Sequence, residues 1–528
     1  MTLVVNVNGL QVGADGEVQH FMGLIIDPKG KVQTVLTGPP PPIEFKRTIQ
    51  GNGRTLLPGF IDAHGHVTGL GFSALQLDLV GTSSLADMQQ RLKAYAAAHP
   101  EVRWIVGRGW NQELWPNKNF PTAADLDAVV SDRPVVLERV DGHAAVANTA
   151  AMKAAGVTAA TKSPAGGRIE NGLFVDNAVD LIGKAVPAAT PAEFDQALAK
   201  AQDLLLAVGV TGVGSMSTSL GDWQAFRRAG EAGKLNVRLM TYMTASEAAD
   251  AKLAPTPWLY GDRLRLIGVK LFADGALGSR GAWLKQPYAD MPDTRGLQFH
   301  SDAELLKLAD EAAAHGFQIA THAIGDAANA QIIGVYEQLA KKYGRDRRWR
   351  IEHFQIVDPA DIPRLAPAGI IASMQPTHQT SDRLMAEKRL GPNRLAGAYA
   401  WQSVLKSGAR LAFGTDFPVE SPNPFPGLSA AVSRQDLNGQ PPGGWIPSER
   451  LTFAQALSAY TRGGAYAGFA EDRIGALEPG KWADFIIVDR DPTTADPQSL
   501  ARMEVIETWV GGRKVWERAP SAAPERGK

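Results

Sequence analysis

The sequence reads as an α/β protein: a (β/α)8 TIM-like barrel, a composite β-sandwich domain built from both chain ends, and a large insertion after the first barrel strand. Three observations point there. Eight short apolar runs alternate with helix-period segments. Both termini carry β-type alternation, and neither is long enough for a comfortable core of its own. The gap between the first two runs is far longer than a normal βα unit. An open doubly wound sheet is the alternative topology for the same alternation.

In chain order, the first 57 residues come first. Val5 and Val7 alternate with Asn6 and Asn8, and apolar runs flank the Asp27-Pro28-Lys29-Gly30 turn, as in a β-hairpin. The Pro39–Pro42 run is a rigid connector. The barrel runs follow at residues 59–64, 208–216, 237–243, 264–272, 317–322, 349–354, 370–375 and 410–416. Helical patterns at 194–206, 302–315 and 332–343 lie between several of them. The insertion spans 68–207, with helices expected at 84–99 and 122–130 and a Gly-rich loop at 164–172. After a first barrel strand it belongs to the catalytic face and is a candidate lid. The barrel domain spans 58–467, and 468–528 returns as β segments to join 1–57. Residues 519–528 read as a polar tail.

Composition narrows the function. The chain has 528 residues, 44% of them hydrophobic, with 54 basic and 55 acidic residues and a formal charge of −1. That balance gives no basic footprint for nucleic acid or an anionic membrane. No basic-then-apolar leader is visible at the start, and no run reaches a membrane span, so a cytoplasmic protein is expected. Cysteine is absent, which excludes disulfides, thiolate metal sites and a Cys nucleophile.

The ten histidines are 20, 64, 66, 99, 143, 300, 315, 322, 353 and 378. His64 and His66 are two apart on a strand, so they face the same way. His322 and His353 end the fifth and sixth runs, and Asp416 ends the eighth. In a closed barrel these ends converge at one mouth, and imidazoles with a carboxylate favour a borderline divalent ion, zinc first. Lys270, near the end of the fourth run, is costly inside a barrel. As a neutral amine it can add CO2 and become a carbamate. As a cation it can snorkel outwards or bind an anionic substrate. His378, just after the seventh run, is a candidate to stabilise an oxyanion. His143, in the insertion, reads as a substrate contact or as a loop hydrogen bonder. Asp326 reads as a ligand-orienting carboxylate or a helix cap. Trp110, with Trp115 and Phe120, reads as a substrate-pocket wall or as core. His20, His99, His300 and His315 read as loop histidines with local hydrogen bonds.

Leu57-Pro-Gly-Phe-Ile-Asp-Ala-His-Gly-His66 resembles the first-strand signature of the amidohydrolase superfamily. Gly268-Val-Lys-Leu-Phe-Ala-Asp-Gly-Ala276, Thr321-His-Ala-Ile-Gly-Asp326, Arg350-Ile-Glu-His-Phe354 and Phe413-Gly-Thr-Asp-Phe-Pro418 resemble its amidohydrolase family 3, the YtcJ-like metal-dependent hydrolases. Ile474 to Asp489 is similar to the superfamily's C-terminal β segment, and the likeness spans nearly the whole chain. The resemblance implies one or two zinc ions: His64, His66 and Asp416 on the more buried one, His322 and His353 on the second, and a carboxylated Lys270 bridging. It implies hydrolysis of a C–N bond in a small-molecule amide, formamide or acylated amine. Metal-bound hydroxide would attack, with Asp416 as general acid and base and His378 assisting. Cyclic amides, esters and phosphotriesters are the alternative substrates, and a binding protein retaining the fold is the non-catalytic alternative. A homodimer is the family-level expectation. The family often has Asp where this chain has Asn111, which bears on substrate preference.

Overall fold

Eight strands form one all-parallel sheet in chain order: β1 (Phe60–Gly65), β2 (Val210–Thr218), β3 (Arg238–Thr244), β4 (Leu264–Phe272), β5 (Gln318–Ala323), β6 (Arg350–His353), β7 (Ile371–Met374) and β8 (Arg410–Phe413). They occupy the eight apolar runs named from the sequence. Nearly every position along them is buried, as expected for strands covered on both faces. The computed structural model describes residues 1–139, 144–164, 167–176 and 178–519.

The helices start where the chain supplies caps. Ser219 opens Leu220–Glu231 after β2, and Ser301 opens Asp302–Ala314 before β5. Each forms a reciprocal box with the acid three residues on, Asp222 and Glu304. Asp326–Tyr343 links β5 to β6, and Pro376–Leu390 follows β7. No helix among the described residues is long and apolar enough to cross a membrane.

The barrel meets itself between β8 and β1, where no strand ladder is formed. Asp416 N–H donates to the His64 carbonyl at 2.8 Å, and His66 N–H donates to the Phe417 carbonyl at 2.8 Å. The buried Asp62 carboxylate fills the gap: it accepts from Thr415 N–H at 3.1 Å, the Thr415 hydroxyl at 2.7 Å and His64 N–H at 3.0 Å. Burial pushes Asp62 up to about 7 against those bonds. Gly414 is required here, because a Cβ would sit 2.6 Å from both Asp62 Oδ1 and His64 N.

The chain ends form two packed sheets. One runs Val32–Leu36, Gly23–Ile26, Thr2–Val5, Arg47–Gln50. The other runs Arg513–Glu517, Val505–Val510, Phe485–Val488, Thr55–Pro58, Asn8–Val12, Val18–Phe21. The N-terminal strand Thr55–Pro58 pairs antiparallel with the C-terminal strand Phe485–Val488. Val4, Leu24 and Val32 from the first sheet meet Leu56, Phe485, Ile487 and Trp509 from the second in one core.

The chain divides into two compact units, Met1–Val67 with Gln202–Lys528, and Thr68–Ala201. The second unit differs from the expected helices and loop. It contains a six-stranded sheet, ordered Gly167–Glu170, Leu173–Asp176, Ala144–Ala147, Val135–Arg139, Ile105–Trp110, Leu77–Asp78. Gly167–Glu170, within the expected Gly-rich loop, is the first strand of its edge hairpin. Period-2 alternation splits its core: Val135 and Leu137 face one apolar cluster and Val136 faces another. Both expected helices are present, as Leu85–Ala98 capped by Ser84 and Ala123–Asp127 capped by Thr122. The helix leading into β2, Pro191–Ala207, runs across the unit boundary.

Candidate active site

The C-terminal ends of β1, β4, β5, β6 and β8 bring His64, His66, Lys270, His322, His353 and Asp416 to one place. His64, His353 and Asp416 offer ligand atoms that all lie within 4.8 Å of one another. This trio takes members from both of the expected ligand sets. His66 adjoins it through Nε2, 3.1 Å from Asp416 Oδ1, and the His322 ring centroid is 4.7 Å from that of His353. His353 and Asp416 both have left-handed backbones, φ 75° and 59°, a strain that tends to collect at functional sites.

The outer ring nitrogens are anchored, which fixes where the lone pairs point. His64 Nδ1 lies 2.6 Å from Glu352 Oε2. Burial disfavours an ionised Glu352, but the Arg350 charge and the His64 bond outweigh it and hold the acid well below its usual range. The Nδ1–H therefore donates, leaving Nε2 as the lone-pair nitrogen. His66 Nδ1 donates to the Met216 carbonyl at 3.1 Å, and His353 Nδ1 donates to Gln375 Oε1 at 2.8 Å. Their Nε2 atoms are left as acceptors too. His64 Nε2 is 3.4 Å from Asp416 Oδ1, so two imidazole lone pairs converge on one carboxylate oxygen. Acceptors so close require positive charge between them. A divalent cation fits this donor set of nitrogen and oxygen atoms.

The electrostatics match. Burial pushes His64 down to about 4, helped by Lys270, and His322 down to about 3. Burial and the neighbouring His322 and His64 hold His353 well below the ordinary histidine range. These are the neutral imidazoles that metal ligation needs. Burial works to raise Asp416, yet positive charge on the surrounding histidines, His64 first, would hold it well below its ordinary value, and a bound cation would supply that charge in their place. Burial brings Lys270 down to about 8, and its Nζ lies 3.5 Å from His64 Nε2. No carboxylate among the described residues is within ion-pair reach of that amine.

His378 also reaches the site. Its Nε2 is buried, without a hydrogen-bond partner among the described residues and 3.7 Å from Asp416 Oδ2, and its ring stacks over His353 at 6.0 Å. Asp326 lies in the first turn of its helix, where its carboxylate bonds the backbone of Ala327, and its Oδ1 also accepts from Lys285 N–H at 2.8 Å. The carboxylate beside His322 is instead Asp274, 3.5 Å away, which also accepts from the backbone of Ile324, Gly325 and Trp283.

Trp110 is corrected from pocket wall to core. It is fully buried in the cluster of the Thr68–Ala201 unit, and its indole N–H donates to the Leu137 carbonyl at 2.8 Å. Trp115 is likewise core, while Phe120 is exposed. Trp110→Ala is expected to destabilise that unit by ~3–5 kcal/mol, read as an earlier denaturant transition. Phe120→Ala should leave the transition within about 0.5 kcal/mol of wild type. Asn111 Oδ1 accepts from Arg139 at 3.2 Å. His143 lies outside the described residues.

Sequence reasoning missed the supports. Arg350 and Glu352 form a buried ion pair at 2.7 Å, and Arg350 also donates to the Ala63 carbonyl and Ser373. Their spacing of two in Arg350-Ile-Glu352 was the available signal, since it places both on one strand face.

The amidohydrolase family model matches residues 47–516. YtcJ of Bacillus subtilis strain 168, provisionally named an amidohydrolase, is 35% identical over 483 residues, 89% of this chain and 90% of YtcJ. N-substituted formamide deformylase of Arthrobacter pascens is 28% identical over 497 residues, 89% and 90% of the two chains. An uncharacterised metal-dependent hydrolase from Pyrococcus horikoshii OT3 superposes with a TM-score of 0.80 at 29% identity, covering 94% of this chain and 99% of that one. The match begins in the first terminal sheet and ends in the last strand, with every ligand position between, and the chain belongs to the amidohydrolase family.

Proposed function

We propose that the protein hydrolyses the C–N bond of an amide, formamide or related acylated amine with the help of one or two divalent ions, zinc first. The observation that carries this reading is the convergence of His64, His353 and Asp416 ligand atoms within 4.8 Å in a buried barrel mouth. A cation held there supplies Lewis acidity towards a carbonyl and acidifies a water near neutral pH. His64, His66, His322, His353 and Asp416 would hold it.

The other roles fall to side chains. Asp416, between His66 and His378, is placed to take a proton from the attacking water and pass it to the leaving nitrogen. His378 would donate to the developing oxyanion through Nε2, a role supported by that atom's having no partner among the described residues. Glu352 keeps the His64 lone pair aimed inwards. Lys270, buried and with its pKa brought down to about 8, carries a larger neutral fraction near neutrality than an exposed lysine. The neutral amine adds CO2 and loses a proton to give a carbamate, which places an anionic oxygen pair beside His64. Similarity to the formamide deformylase supports trying N-substituted formamides first.

The test pairs metal content with a substrate panel. Plasma mass spectrometry of protein never exposed to chelator should find one or two equivalents of divalent metal. His64→Ala and Lys270→Ala should each lower that content by about half or more. Formamides and acyl amines should turn over faster than a lactone or a phosphotriester. No bound metal after supply of zinc and bicarbonate would sink the proposal, and a preference for the lactone or phosphotriester would move the chemistry off C–N bonds.

A further inference from the structure

At the opposite end of the barrel from the metal ligands, a cleft of about 890 Å³ opens between the first turn of the terminal sheets and the chain entering β4. Five cations border it: Lys29, Lys46, Arg47, Arg263 and Arg513. The one acid on its wall, Asp27, is already engaged, since its Oδ1 accepts from the backbone of Lys29 and Lys31. Among the described residues none of the five has an ion-pair partner.

Arg263 is the informative member. It is 8% exposed, and its guanidinium makes one hydrogen bond, from Nη1 to the Asn236 carbonyl at 3.1 Å. Its neighbour Arg238 is paired twice with Asp484, at 2.6 and 2.9 Å, which leaves that acid committed elsewhere. A nearly buried guanidinium with donors to spare and no carboxylate is costly. Burial, with repulsion from Arg238 and Arg513 and against the attraction of Asp484, brings it down to about 10. The floor beside it is bare backbone: the turns at Gly30 and Gly511 touch so closely that a Cβ on Gly30 would lie 2.2 Å from the Gly511 carbonyl oxygen. The glycines let the two turns pack against each other and leave Arg263 at the rim of the recess, where a forked guanidinium suits a tetrahedral anion.

We propose that this cleft binds a phosphoryl group, as inorganic phosphate or as the ester of a small molecule. Several converging cations around a recess match a multiply charged anion better than a single carboxylate. Five cations around one recess, on a chain of net charge −1, do not make the broad basic face that a polyanionic polymer needs. Arg263 directly precedes β4 and Lys270 lies seven residues on, so one strand spans the roughly 20 Å between the two sites.

Isothermal titration of the full chain with inorganic phosphate, pyrophosphate and glycerol phosphate, at constant ionic strength, tests the proposal. Saturable binding at one equivalent is expected. Arg513→Ala, an exposed change that leaves the core intact, should weaken it about tenfold, as loss of one charge-assisted contact predicts. Arg263→Gln should weaken it at least as much, and Lys307→Ala, on a distant exposed helix, should not. His353→Ala should leave it in place, which separates this cleft from phosphate captured at the metal centre. Tighter binding of glycerol phosphate than of phosphate would identify an organic ester as the occupant, and the reverse would identify the free anion. Binding unchanged by Arg513→Ala, binding lost with His353→Ala, or no saturable binding would each overturn the assignment.

Discussion

Asp416→Asn is expected to lower turnover by about 10²–10⁴-fold while at least one metal equivalent stays bound. Asparagine is the sharpest probe of this position. Asp416 sits at φ 59°, a conformation that Asp and Asn tolerate better than other non-glycine residues, so the backbone should hold. The amide keeps the size and one acceptor oxygen near His64 and His66, 3.4 and 3.1 Å away in the wild type. What it cannot do is receive a proton and give it up. The measurement is kcat at saturating substrate alongside metal content on the same preparation. Retained turnover would remove Asp416 from proton transfer; lost turnover with all metal gone would make it a ligand first.

Glu352→Ala is expected to be the most destabilising single change near the site. Its carboxylate, fully buried, accepts two bonds from Arg350, at 2.7 and 3.1 Å, and one from His64 at 2.6 Å. Removing it strands a buried guanidinium, a loss of ~3–5 kcal/mol. It also frees the His64 tautomer, which should weaken metal binding by about 10–100-fold. Arg350→Met with Glu352→Leu separates the two effects. The double variant should regain much of the stability, measured by chemical denaturation, and none of the metal affinity, measured by chelator competition. If metal affinity returned with stability, Glu352 would be a packing residue only.

The barrel and the residues gathered at its mouth were legible because their signals are local. A buried parallel strand is a continuous apolar run, and histidine, lysine or aspartate at the end of such a run stands out. The supporting residues were not legible, because their partners lie far away in sequence. Glu352 meets His64 across 288 positions and Asp62 meets Thr415 across 353. Nothing near either carboxylate announces that partner. The sheet of the Thr68–Ala201 unit escaped for another reason. Leu77–Asp78 has two residues, and Ala144-Ala-Val-Ala147 carries little β-branched bulk, so neither reads as a strand. Trp110 was misread because a tryptophan beside a candidate lid suggests a pocket, whereas its burial and its bond to Leu137 could be seen only in three dimensions.

The place where β1 and β8 meet has a consequence for biogenesis. His64 and His66 leave the ribosome early, yet Asp416, Thr415 and the carbonyl of Phe417 are made some 350 residues later. Synthesis at about 5–20 residues per second makes that interval tens of seconds. Through it the first strand has a neighbour on one side at most, and its two imidazoles have no carboxylate to meet. If these residues hold a cation as proposed, high affinity would arrive only when the ring is shut, and metal uptake would report that the last strand has docked.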